Sequence, residues 1–189
     1  WQGEHDLVRP NSETAIELAT ECDDPGVVFW GHWAIGVMEG MRGNLSEIPR
    51  RLRKMSRIVE ALNSPILRLW SAELSIEHAY CYGDWDTGIE LGESAVDLAR
   101  SLHQNTLLPR LLVWLSLIYI GRGDFERVKE LTDEAWEVSG AGRTNEKFVD
   151  VHTVVPAHIG RAAYHLAMNE WDETIRIGER GLAIANRSG

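Results

Sequence analysis

The sequence predicts an all-α fold, an α-solenoid of about four helical hairpins, and three observations predict it. A turn signature recurs as Gly43-Asn44-Leu45, Gly83-Asp84-Trp85, Gly123-Asp124-Phe125 and Asn169-Glu170-Trp171, with starts 40, 40 and 46 residues apart. A period in that range belongs to helical hairpins that cannot bury their apolar faces without neighbours. Between these turns apolar and small residues fall at three-and-four spacing, as in Ile89, Gly92, Val96 and Ala99. No segment of strand period flanked by hairpin-turn chemistry occurs anywhere.

The elements follow in order. Residues 1–9 show no clear period, and although Gly3 lies 40 residues before Gly43, Pro10 is expected to interrupt a helix there. Asn11 or Ser12 then caps a partial hairpin over 11–22, which Asp23-Asp24-Pro25-Gly26 ends. The first full hairpin covers about 27–62, with Pro49 tolerable in the first turn of its return helix. The second covers about 65–102 and the third about 107–139. Asp84 and Asp124 suit N-caps, because a short carboxylate accepts from free backbone N–H groups. The loop-like stretch 139–147 supplies the six extra residues of the last interval, and the fourth hairpin runs over about 148–187. In the return helix after Asp84, Gly88 and Gly92 cost helix propensity, so an opposing helix is expected to pack close there. The chain opens on Trp1 and closes on Ser188-Gly189, and both ends read as cut from something longer.

Composition narrows the function classes. Net charge is −10 in 189 residues, with 44% apolar and 25% charged residues. That balance argues for a folded chain. The acidic excess disfavours nucleic acid, which needs a basic footprint, and equally disfavours anionic lipid. The apolar run 107–120 is broken by Pro109 and Arg110 and is too short to cross a bilayer. Cys22 and Cys81 form no framework, which fits reduced thiols in the cytoplasm. The basic cluster Arg50, Arg51, Arg53, Lys54 and Arg57 reads as the solvated face of an amphipathic helix.

The pattern resembles tetratricopeptide repeats. The matching residues are Gly83-Asp84-Trp85 with Ala95, Tyr119 with Gly123-Asp124-Phe125 and Ala135, and Asn169-Glu170-Trp171 with Gly181. The 40-residue spacing, longer than the standard repeat, is similar to the arrays of MalT-like LuxR-family ATPase regulators and of class III nucleotide cyclases that carry a repeat region. The resemblance covers 27–189 and implies a right-handed superhelix. It also implies a non-catalytic scaffold or sensor that controls other domains of a signalling or transcriptional regulator. The first repeat departs by carrying Met55 where a small residue is expected, and the fourth by lacking the turn glycine.

Catalytic motifs are missing from the sequence: no phosphate-binding glycine loop, no zinc-protease helix, no nucleophile elbow and no kinase signature. No cofactor and no metal are expected. The seven histidines include no i,i+4 pair, and His78 with Cys81 supplies at most two ligands of a site that needs more. The carboxylate pairs read as solvated helix faces rather than an acid–base couple.

The expected binding surface is the concave wall formed by the first helix of each hairpin. One helical face selects Trp30, Trp33, Val37 and Gly40, then Trp70, Glu73, Glu77 and Tyr80. It goes on to Arg110, Val113, Leu117 and Ile120, then Pro156, Ile159, Ala163 and Leu166. The binding candidates are Trp30, Trp33, Trp70, Glu73, Glu77, Tyr80 and Arg110, since aromatic rings beside carboxylates suit a cationic or amphipathic group. Packing between repeats is the competing role for the tryptophans. Glu73 and Glu77 are expected to face the solvent of the groove. Trp85, Phe125 and Trp171 share one turn position and read as structural. The expected partner is a protein, a peptide or domains of the same parent chain. The alternative is a small-molecule sensor whose ligand sits in a closed pocket around Trp30, Trp33 and Trp70 and gates attached domains. Open solenoid ends are expected to pair as a homodimer.

Overall fold

The computed structural model describes residues 5–143 and 150–187. Gly3, Phe148 and the end at 188–189 lie outside the described residues, as do residues 144–147 of the predicted insertion. Among the described residues there are nine α-helices, one 3₁₀ turn and no strand, so the chain is all-α. It divides into two compact units, Trp1–Tyr82 and Gly83–Gly189.

The first unit holds α1 (His5–Glu21), α2 (Pro25–Met41), a 3₁₀ turn (Leu45–Glu47), α3 (Ile48–Leu62) and α4 (Pro65–Tyr82). Its core gathers Phe29 and Val37 of α2, Ile48, Met55 and Val59 of α3, and Leu67 and Leu74 of α4. α1 corrects one expectation. It begins at His5, and Pro10 is its sixth residue, so neither Asn11 nor Ser12 is a cap. Pro10 removes a single N–H from the ladder. Tertiary contacts hold the turns around it: Arg9 donates to Glu39 Oε1 through Nε (3.1 Å) and Nη2 (2.8 Å), and Asp6 pairs with Arg42.

The second unit holds α5 (Trp85–Ser101), α6 (Leu108–Arg122), α7 (Phe125–Ser139), α8 (Val151–Ala167) and α9 (Trp171–Arg187). Its helices close on one another through glycines. A Cβ built on Gly92 of α5 would stand 2.7 Å from Leu115 Cδ1 of α6, and one on Gly160 of α8 would stand 2.8 Å from Val113 Cγ2. Gly121 likewise makes room for the Trp85 ring. The expected close approach at Gly92 is therefore present, and its partner is α6.

The turns carry the repeat in their dihedral angles. Gly43, Gly83, Gly123 and Asn169 have φ of 74°, 74°, 76° and 61°. The other turns place Asp23, Asn63 and His103, again 40 residues apart, at 55°, 44° and 52°. A left-handed residue lets the following N–H groups turn back onto the last carbonyls of the helix. Asn44 N, Asp124 N and Glu170 N do so, donating to Glu39 O, Tyr119 O and His165 O at 2.9–3.1 Å. Asn169 takes the role of the missing fourth glycine, being among the residues that tolerate this region best. Asp124 caps α7 through Arg127 N (3.1 Å), whereas Asp84 holds the cap position of α5 without a side-chain bond. One ion pair also repeats: Asp6–Arg42 in the first unit has its counterpart 80 residues on, as Asp86–Arg122 in the second.

Candidate binding faces

Within the first unit, α2 and α4 bring three of the predicted tryptophans together. The Trp30, Trp33 and Trp70 ring centroids lie 5.7, 5.1 and 5.1 Å apart, pairwise edge-to-face, and Phe29 adds a fourth ring 5.4 Å from Trp30. Those are contact distances for aromatic pairs. The rings fill the space between them, so the cluster is not a cage with room for a cation at its centre. Trp33 and Trp70 pack on the unit's core, while Trp30 stays 38% exposed. Trp33 and Trp70 therefore serve packing, and Trp30 lies partly at the surface. Trp33 Nε1 is buried without a hydrogen-bond partner among the described residues.

The acidic candidates separate. Glu73 corrects the expectation of a solvent-facing carboxylate: it is 2% exposed. The reason is its helical position, since Leu69 and Ile76, both fully buried, lie four residues before and three after it on one stripe of α4. Glu77 is half-buried against α2, where a Cβ on Gly40 would meet its Oε1 at 3.0 Å. Tyr80 is exposed. Arg110 belongs to α6 of the second unit and is half-buried there.

In the second unit the predicted wall is also mixed. Val113 is buried under Gly160 and is packing rather than surface, whereas Ile159 and Leu166 of α8 are exposed. Trp85 is structural as expected, but Phe125 and Trp171 are exposed.

Residue patterning alone overlooked a buried polar cluster in the first unit. Arg50, Arg53, Lys54 and Arg57 are solvated as expected, but Arg51 is buried, with Nη1 3.4 Å from His32 Nδ1 and Nη2 3.7 Å from Glu47. The available signal was its spacing with Ile48, Met55 and Val59, the buried stripe of α3. Burial, followed by the charges of Lys54, Arg51 and Arg50, lowers the His32 pKa to about 4. Neighbouring Glu39 is buried yet held below the ordinary carboxylate range by hydrogen bonds from Asn44 and Arg9, which outweigh its desolvation.

A corresponding bracket ties three helices of the second unit. Tyr119 Oη of α6 donates to Glu93 Oε1 of α5 at 3.0 Å, and Arg127 Nη2 of α7 donates to both oxygens of Glu93 at 2.8–2.9 Å. These are ties between helices. Among the described residues no group of three His, Cys, Asp or Glu side chains is placed to hold a metal ion, and both cysteines are free and exposed. No described helix is long and apolar enough to cross a membrane. No family model matches the chain, and no curated protein is significantly similar to it.

Proposed function

We propose that the chain is a non-catalytic, tetratricopeptide-like interaction scaffold, a right-handed solenoid of helical hairpins serving a multidomain signalling or transcriptional regulator in the cytoplasm. The observation that carries the reading is the recurrence of left-handed turn residues at Gly43, Gly83, Gly123 and Asn169. A helical array with that register presents equivalent helix faces in series, which is how solenoids build extended binding surfaces. The aromatic face supports a peptide or protein partner over an enclosed small molecule. Its rings occupy the space a ligand would need, and Trp30 offers an exposed edge of the kind that anchors interfaces.

The test pairs two measurements on the whole chain. Native mass spectrometry is expected to give the bare chain mass, and a displayed peptide library is expected to yield binders that lose at least tenfold in affinity on Trp30→Ala. A co-purifying small molecule that is released on denaturation and quenches tryptophan fluorescence would overturn the scaffold reading in favour of the sensor.

A further inference from the structure

The register between α5 and α9 exposes a difference that local sequence does not explain. Aligning Gly83-Asp84-Trp85 with Asn169-Glu170-Trp171, an offset of 86, places Gly92, Ala95, Val96 and Ala99 of α5 on Gly178, Gly181, Leu182 and Ala185 of α9. In α5 this face is buried, with Val96 0% exposed and Leu115 of α6 seated over Gly92. In α9 only Gly181 of these four is buried, against His158 of α8, and the rest of the face is open. Leu182 is 60% exposed, Gly178 and Ala185 are exposed, and a Cβ on Gly178 would meet nothing within 4 Å. A glycine inside a helix is unfavourable relative to alanine, and among the described residues no neighbour requires it here.

The open face forms one wall of an apolar groove of about 360 Å³, completed by His158 and Ile159 of α8. His158 is 1% exposed. Its Nδ1 lies 2.8 Å from Val154 O, an acceptor only, so the proton sits on Nδ1 and Nε2 is a lone-pair acceptor. That Nε2 has no partner among the described residues. The groove is thus apolar, and one of its lining residues carries a buried acceptor without a partner among the described residues.

We propose that this groove is a docking site for an amphipathic helix of a protein partner, laid on α9 as α6 lies on α5. The pairing of α5 with α6 specifies the chemistry of the guest. Leu115 fills Gly92; four residues later Tyr119 donates to Glu93; seven residues later Arg122 pairs with Asp86. Glu179 and Asp172 are the counterparts of Glu93 and Asp86, and both are exposed on α9. The guest helix therefore carries a leucine over Gly178, a hydrogen-bond donor four residues on to meet Glu179, and an arginine seven residues on to meet Asp172. The inference rests on the scaffold reading and names one class of partner for it.

The probe is a synthetic peptide of residues 107–123 of this chain with a polyglutamate solubility tag, titrated onto the whole protein. The expected result is saturable one-to-one binding, weakened at least tenfold by Leu115→Asp in the peptide or by Gly178→Leu in the protein. Gly178→Leu fills the groove from a position with free space, so its thermal transition should be no lower than that of the parent chain, which separates blocking from unfolding. Equal binding by parent and Gly178→Leu, or no binding, overturns the proposal. A dimer of the chain that Gly178→Leu dissociates overturns it in favour of a second copy. The scaffold reading is judged separately by the Trp30→Ala selection, on residues this experiment does not touch.

Discussion

Leu115 of α6 occupies the space that a side chain on Gly92 of α5 would need, its Cδ1 2.7 Å from the position of the missing Cβ. Leu115 is fully buried and cannot swing aside. Gly92→Leu is expected to destabilise the protein by about 1–3 kcal/mol through overpacking. Gly178→Leu, at the counterpart position with nothing nearby, should be neutral or stabilising by up to ~1 kcal/mol from helix propensity. Urea denaturation of the two variants beside the parent measures the difference. Equal effects would remove the distinction between the covered and open faces.

Acid should weaken the first unit through His32. Its folded pKa of about 4 lies below the ordinary 6.5, so the unfolded chain binds the proton first. The stability is fully present above pH 6.5 and is lost as pH falls toward 4, by up to about 3 kcal/mol for this residue. The buried His158, its pKa also lowered chiefly by burial, acts in the same direction in the second unit. Denaturant midpoints between pH 7 and 4 should fall, and His32→Gln should flatten part of that slope. Arg51→Met should raise the His32 pKa in an NMR titration while leaving it below 6.5, because burial is the larger cause.

The three-ring cluster makes a graded prediction. Trp70 contacts both other rings and packs on the core, so Trp70→Ala should cost about 2–4 kcal/mol. Trp30, more exposed, should cost about 1 kcal/mol. Near-ultraviolet circular dichroism should lose the coupled indole signal in both variants. A Trp30 variant as damaging as the Trp70 one would place Trp30 in the packing rather than on the surface.

The turns test the repeat directly. Gly123 sits at φ 76°, where a Cβ is strained, so Gly123→Ala should cost roughly 1–2 kcal/mol. Asn169 sits at 61°, and Asn169→Gly should stabilise by a few tenths of a kcal/mol or more. Thermal denaturation reads both signs, and an unaffected Gly123→Ala would show that the turn does not require a left-handed residue.

Helix positions, the turn period and the small residue at Gly92 were all legible in the chain, because they depend on contacts within a few residues. A left-handed turn residue, a proline in a first turn and an aspartate cap act through the backbone beside them. Pro10 was misread for the converse reason: Arg9 with Glu39 and Asp6 with Arg42 hold α1 through contacts thirty or more residues away in sequence. Glu73 was placed in solvent and Arg51 on a solvated face, because side-chain type was given more weight than the helical stripe each occupies.

The sequence by itself determined an all-α chain, its helix boundaries to within a few residues for most elements, and the recurrence of its turns. Only the tertiary structure decided which of the equivalent faces are covered. Gly92-to-Ala99 and Gly178-to-Ala185 carry nearly the same pattern, yet Gly92 and Val96 are covered, with Leu115 of α6 over Gly92, while their counterparts Gly178 and Leu182 are open. Burial belongs to the neighbouring helix, and no window on α5 or α9 contains it.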